Sequence, residues 1–249
     1  IDTGIGELNR VLGGGLVKGS LVLISGEPGI GKSTIIIQTS ANIALQGKAV
    51  LYVSGEESEE QIKMRADRVC RALPDSLYVI SETNMENVEI VCENLKPDFL
   101  IIDSIQTLYS SQLDSAPGSV SQVRICGNQL MKLGKTKGIP IFIVAHVTKN
   151  GDLAGPKTVE HLVDCVLNFS GERDRDFRIL RAYKNRFGTT SEIGAFRMEE
   201  KGLAEVTDIS ATFLENKEER LEGSVATAIY EGSRPLMFEI QSLVSPANV

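Results

Sequence analysis

Gly26-Glu27-Pro28-Gly29-Ile30-Gly31-Lys32-Ser33 has the residue types and spacing to hold a chain of phosphates. Gly26 stands four residues before Gly31-Lys32-Ser33, the pattern of a phosphate-binding loop. Its glycines let successive backbone N–H groups converge on an anion. Lys32 supplies a point charge for β- and γ-phosphates, and the Ser33 hydroxyl is placed for Mg²⁺. With Thr34 the expected binding set is complete, and the expected cofactors are ATP or ADP with Mg²⁺. The flanks agree. Leu21–Ser25 is an apolar run that reads as a buried strand, and Gly31–Gln46 reads as a helix whose N-terminus faces the phosphates.

Further candidates stand at the ends of other apolar runs. Leu100-Ile101-Ile102-Asp103 ends in a carboxylate suited to Mg²⁺, directly or through water. Tyr52-Val53-Ser54-Gly55-Glu56-Glu57 puts a carboxylate where it could orient water for attack on a γ-phosphate. Glu56 is the first choice for that base and Glu57 the reserve. Glu56 to Glu60, capped by Ser58, could equally load a helix N-terminus with favourable charge. His146 follows Ile141–Ala145 and suits a γ-phosphate sensor, or is simply a polar strand end. Lys184 and Arg186, two apart at the end of an alternating strand, suit charge developing on a transferred phosphoryl group. By pattern alone a solvated basic strand edge is the better reading of that pair.

Positioning these residues requires an α/β scaffold. Strands are expected at Leu21–Ser25, Ala49–Ser54, Leu77–Ser81, Phe99–Ile102 and Ile141–Ala145. Helices are expected at Gly31–Gln46, Ser58–Ala72, Met85–Leu95 and Ser119–Lys137. The alternation predicts a mainly parallel sheet covered on both faces, with its ligands at the C-terminal strand edge. Thr3 is the expected cap of a short helix from Ile5 to Leu12. Val163–Phe169, Phe177–Lys184 and Gly194–Met198 extend the sheet with antiparallel strands. Residues 1–200 then form the ATPase core. Residues 201–249 form a β-rich C-terminal part, with strands at Val225–Tyr230 and Leu236–Val244, leading to a linker.

Composition narrows the classes. A net charge of −7 argues against a wholly basic nucleic-acid binder, though not against a local basic lining. No apolar run approaches a membrane span, and the four cysteines lack zinc spacing, so a reduced cytoplasmic setting with buried thiols is expected. The start at Ile1 and the Ser245-Pro246-Ala247-Asn248-Val249 end suggest an excised piece of a longer chain.

Five motifs together resemble the bacterial RadA (Sms) family. They are the phosphate loop, Ser54-Gly55-Glu56-Glu57-Ser58, Asp103-Ser104-Ile105-Gln106-Thr107, His146-Val147-Thr148-Lys149 and Lys184-Asn185-Arg186-Phe187-Gly188. The last is the most specific. Ala154-Gly155-Pro156 and Glu231-Gly232-Ser233-Arg234-Pro235 extend the resemblance along the chain. It implies a RecA-like P-loop NTPase core and a DNA-stimulated ATPase of recombination and repair. It also implies a ring helicase, in hexamers, that drives branch migration on single-stranded and branched DNA, with a recombinase partner. Lys184 and Arg186 would reach a neighbouring subunit's nucleotide, and the loops after Asp103 and His146 would line a DNA channel. The family's zinc module and Lon-like domain are absent from these residues. Ala145 replaces a usual glycine, and Ile125-Cys126-Gly127 departs from a more polar helix.

Two other classes compete with the motor. One is an ATP-hydrolysing signalling switch resembling KaiC, and the other is a nucleotide-binding structural module. Lys149 and Lys157 after His146, with Arg124 on the preceding helix, are the expected channel cations. Taken singly, each reads as an ordinary solvated charge.

Overall fold

The computed structural model describes residues 1–146, 156–171, 176–210, 223–242 and 244. The first half alternates strand and helix: α1 (Gly6–Leu12), β1 (Leu21–Gly26), α2 (Lys32–Leu45), β2 (Val50–Ser54), α3 (Glu59–Val69), β3 (Leu77–Ser81), α4 (Met85–Leu95), β4 (Phe99–Asp103), α5 (Val120–Lys137) and β5 (Ile141–His146). A 3₁₀ turn at Pro156–Thr158 precedes β6 (Cys165–Ser170), β7 (Phe177–Asn185), β8 (Ile193–Glu199) and β9 (Gly202–Glu205). A hairpin of β10 (Ser224–Glu231) and β11 (Arg234–Gln241) follows.

Among the described residues the main sheet runs β3-β2-β4-β5-β1-β6-β7-β8-β9. β3 to β6 pair in parallel, and β6 to β9 are antiparallel, as the sequence pattern requires. β1, β2 and β4 are buried throughout, as is β5 up to Ala145, because helices cover both faces. Alternation divides their side chains between two cores. Val22 and Ile24 of β1 pack with Ile36 of α2, while Leu21 and Leu23 pack with Leu130 of α5.

Local signals set most helix starts. Ser58 and Gln61 form a reciprocal capping box at α3, Asn84 caps α4, and Ser119 caps α5. Thr3 does not cap α1: the N-cap is Ile5, without a side-chain bond. Thr3 is buried, with its hydroxyl bonded to Ile5 and Asn9. The free Glu7 N–H instead donates to Glu205 Oε1 at 2.7 Å, a cap supplied from β9.

The unusual Ile125-Cys126-Gly127 run has a packing reason. Cys126 is buried, and a Cβ on Gly127 would lie 3.0 Å from Leu162 and 3.2 Å from Val159. Small residues let the 156–162 turn close on α5. Cys92, Cys126 and Cys165 are likewise buried, and burial pushes their thiols up to about 12.

β9 pairs with β8 in the main sheet, so a division after residue 200 falls inside that hairpin. The β10–β11 hairpin forms its own sheet. Its turn is clasped to α1: Arg234 grips the buried Glu7 carboxylate with both terminal nitrogens, and Arg10 donates to Ser233 Oγ at 3.2 Å. No helix among the described residues is long and apolar enough to cross a membrane.

Candidate nucleotide-binding and catalytic site

Parallel register gathers the candidate residues at one edge. Gly26 at the tip of β1 pairs with His146 at the tip of β5, and Ser54 at the tip of β2 pairs with Asp103 at the tip of β4. The phosphate loop leaves β1 there. Gly26 has φ +151°, and a side chain would strike the Phe169 carbonyl, so only glycine fits. Ile30 is buried as the loop's anchor, while Glu27, Pro28 and Gly29 are exposed. Gly31 is the N-cap of α2, which carries Lys32, Ser33 and Thr34 in its first turn. The first-turn N–H groups and the helix dipole therefore face the edge where an anion would sit.

Lys32 is 3% exposed and folds over the loop, donating to Gly26 O at 2.7 Å and Glu27 O at 2.9 Å. Burial lowers its pKa, while Asp103 and Glu56 oppose that shift. Buried Asp103 accepts a 2.6 Å hydrogen bond at Oδ2 from the Tyr52 hydroxyl, which also engages Ser33. Ser33 and Asp103 are hard oxygen donors that both lie beside the Tyr52 phenol. That set fits Mg²⁺, which takes one or two protein oxygens beside phosphate and water. No group of three or more His, Cys, Asp or Glu is arranged for a metal among the described residues.

The two adjacent glutamates part company. Ser54 Oγ accepts from both backbone N–H groups, 3.0 Å from Glu57 and 3.4 Å from Glu56, in a tight turn. Glu57 is drawn away into an ion pair with Arg65 of α3. Glu56 points to the edge, where its Oε1 accepts from Ser104 Oγ at 2.7 Å and lies 3.4 Å from His146 Nε2. His146 is the largest influence holding the Glu56 carboxyl down at about 2. Burial opposes it, and Ser104 and Lys32 reinforce it.

Two further contacts connect the edge to the loop after β4. Gln106 Nε2 donates to His146 O at 3.1 Å, and His146 N–H points to Gln106 Oε1 at 3.5 Å. Gly55 lies against Thr107 so closely that any Cβ would collide with its hydroxyl, and Thr107 Oγ1 donates to Ser104 O at 2.8 Å. A cleft of about 470 Å³ opens beside Glu56 and His146, walled by Thr83, Gln106, Tyr109 and Pro117.

Lys184 and Arg186 lie elsewhere. β7 runs antiparallel to β6, so its end pairs with the start of β6, at the sheet edge opposite Lys32. A bulge at Tyr183 precedes Lys184. Lys184 Nζ donates to Glu160 O and Val163 O at 2.9 and 2.8 Å, and Arg186 pairs with Asp164. Both cations thus bind the same 160–164 turn, and neither joins this chain's own phosphate loop. Arg124 and Lys157 are exposed, on α5 and on the turn packed against it. Val147, Thr148, Lys149, Ala154 and Gly155 lie outside the described residues.

Tyr52, Arg65, Ser104 and Gln106 shape the site without having declared a role in the sequence. Tyr52 reads as one more buried strand residue, and Arg65 as a helix surface charge. Their partners lie 8 to 51 positions away, so no local pattern announces them.

The family model described as AAA domain matches residues 1–152. The chain is 57% identical over 248 residues to the DNA repair protein RadA of Bacillus subtilis (strain 168), covering all of this chain and 54% of that protein. It is 55% identical over 246 residues to the DNA repair protein RadA of Listeria monocytogenes serovar 1/2a, covering 99% of this chain and 54% of that protein. The chain therefore spans about half the length of these curated relatives. A crystal structure of the RadB recombinase superposes with a TM-score of 0.60 at 21% identity, covering 82% of this chain and 99% of that one. The fold is RecA-like.

Proposed function

Because the chain belongs to the AAA domain family and is homologous to bacterial DNA repair protein RadA, we propose that it hydrolyses ATP and couples hydrolysis to DNA in recombination and repair. One observation carries the hydrolytic part: Arg65 removes Glu57, while Ser104 and His146 hold Glu56 at the edge that carries Lys32 and Asp103.

In this reading the phosphate loop and the α2 N-terminus receive the phosphates, and Lys32 leaves its two carbonyl partners to neutralise them. Ser33 and Asp103 would hold Mg²⁺. When bound, that ion neutralises charge on the transferred group. Ionised Glu56 orients and deprotonates the attacking water. His146 senses the γ-phosphate, and its bonds with Gln106 carry that state to the loop after Asp103. Lys184 and Arg186 act on a neighbouring subunit's nucleotide, because their own lies across the sheet. The complete protein is then a ring, hexameric by the family resemblance, acting as a helicase in branch migration. Arg124 and Lys157 line its DNA path, and Lys149 supplies a further cation for DNA phosphate.

ATP hydrolysis measured with and without single-stranded DNA, over a range of protein concentrations, tests this reading. Turnover stimulated by DNA and rising with protein concentration is expected. DNA-independent turnover would favour the signalling switch, and absent turnover the structural module. Binding followed by anisotropy at two salt concentrations tests the channel. Phosphate contact weakens strongly with salt, and Lys149→Ala and Lys157→Ala are expected to reduce it further.

A further inference from the structure

Tyr52 is 1% exposed at the middle of β2, a position that otherwise asks only for an apolar residue. Its ring packs in the core beneath the phosphate helix, and its hydroxyl emerges at the Asp103 carboxylate, 2.6 Å from Oδ2. Tyr52 and Asp103 lie on neighbouring parallel strands, with Tyr52 opposite Ile101, so the phenol approaches from two residues further down the sheet. Ser33, at the head of α2, meets the same hydroxyl. A buried phenol requires a polar partner. Here both partners are residues that would hold the cation, and nothing in the β2–β4 packing itself demands the oxygen.

We propose that Tyr52 is a positioning residue for the divalent cation, its hydroxyl fixing the Asp103 carboxylate against Ser33 so that one carboxylate oxygen is reserved for the cation or its water. This rests on the magnesium–ATP reading above. An outer hydrogen bond of this kind orients a ligand that would otherwise rotate, and its loss typically weakens metal binding by about 10–100-fold. Phenylalanine retains the ring and removes only the hydroxyl. The effect should therefore appear in the metal dependence of nucleotide binding and not in the fold.

The test is a magnesium chloride titration of fluorescent ATP-analogue binding, for the unaltered protein and Tyr52→Phe, beside binding in excess EDTA and a thermal melt. The expected result is a rise of about tenfold in the Mg²⁺ concentration for half-maximal effect. Binding in EDTA should be unchanged, and turnover should recover at high Mg²⁺. Adding Tyr52→Phe to Asp103→Asn should shift the Mg²⁺ curve no further. A Tyr52→Phe curve that overlays the unaltered protein's overturns the proposal. So does equal weakening with and without Mg²⁺, or a full second shift in the double variant. If the unaltered protein binds the nucleotide with no Mg²⁺ dependence, the magnesium–ATP reading fails first, before the variants are compared.

Discussion

Arg186 is held 2.9 Å from Asp164, whose other carboxylate oxygen accepts the Leu21 N–H at 3.0 Å. The guanidinium is thereby anchored to the first residue of the strand that ends in the phosphate loop, at the far end from Lys32. An arginine so placed serves catalysis only if another copy's nucleotide comes to it.

Mixed subunits check that consequence. Arg186→Ala alone should lower turnover by about 10³-fold, the scale of a trans-acting arginine. Glu56→Gln alone should also be inactive. Mixing the two should restore measurable ATP hydrolysis, because some interfaces then carry both an intact Glu56 and an intact Arg186. Full activity in a dilute monomer, or no recovery on mixing, would exclude this arrangement.

The division of labour between adjacent carboxylates is open to a direct comparison. Glu56→Gln should retain nucleotide binding and lose turnover by about 10²–10⁴-fold. Glu57→Gln should lose only an ion pair with Arg65, with little change in rate. A reversal of those two outcomes in steady-state kinetics would move the base to Glu57.

The depressed Glu56 pKa fixes a pH signature. The group is about 2 in the folded chain, below the ordinary carboxylate value of about 4.3. Its contribution to stability is therefore fully present above the unfolded value and is lost as pH falls through about 2. Between about pH 5 and 9 the carboxylate stays ionised, so Glu56 imposes no acid limb on the rate profile. Replacing the largest influence, in His146→Gln, should move any Glu56 limb toward higher pH. Rate profiles of the two proteins measure this.

Close approach at Gly55 makes a packing prediction. Gly55→Ala forces a methyl into Thr107, whose hydroxyl holds the Ser104 carbonyl. The overpacking should cost about 1–3 kcal/mol in a denaturant melt. It should also displace Ser104 from Glu56 and lower turnover more than nucleotide affinity. An unchanged rate with unchanged stability would mean that the loop yields freely.

Legibility followed the range of the interaction. The phosphate loop, the strand tips at Asp103 and Glu56 and the caps at Ser58 and Ser119 were plain, because spacing within a few residues carries them. The choice between Glu56 and Glu57 depends on Arg65, nearly two turns into the next helix, and no local pattern in the sequence decides it. Tyr52 was silent because a buried strand residue and a hydroxyl aimed at Asp103 look the same in one dimension. Thr3 misled because a threonine before a helix is an ordinary cap signal, whereas the bond that replaces it comes from Glu205. Lys184 and Arg186 stood correctly at a strand end. Which edge that end occupies depends on the reversal between β6 and β7.

The clasp between Glu7 and Arg234 bears on where the smallest self-sufficient unit stops. A chain trimmed after β9 would keep the whole nine-stranded sheet, yet leave its first helix with a carboxylate only 3% exposed and deprived of Arg234. Glu7 would retain the Ala195 N–H at 3.0 Å and a distant Arg10, 3.9 Å away, as compensation. Removing one partner of a buried ion pair costs about 3–5 kcal/mol, a large share of a domain's net stability. The hairpin therefore behaves as a keystone for the N-terminal turn, and the boundary of independent folding follows a buried charge instead of the margin of the sheet.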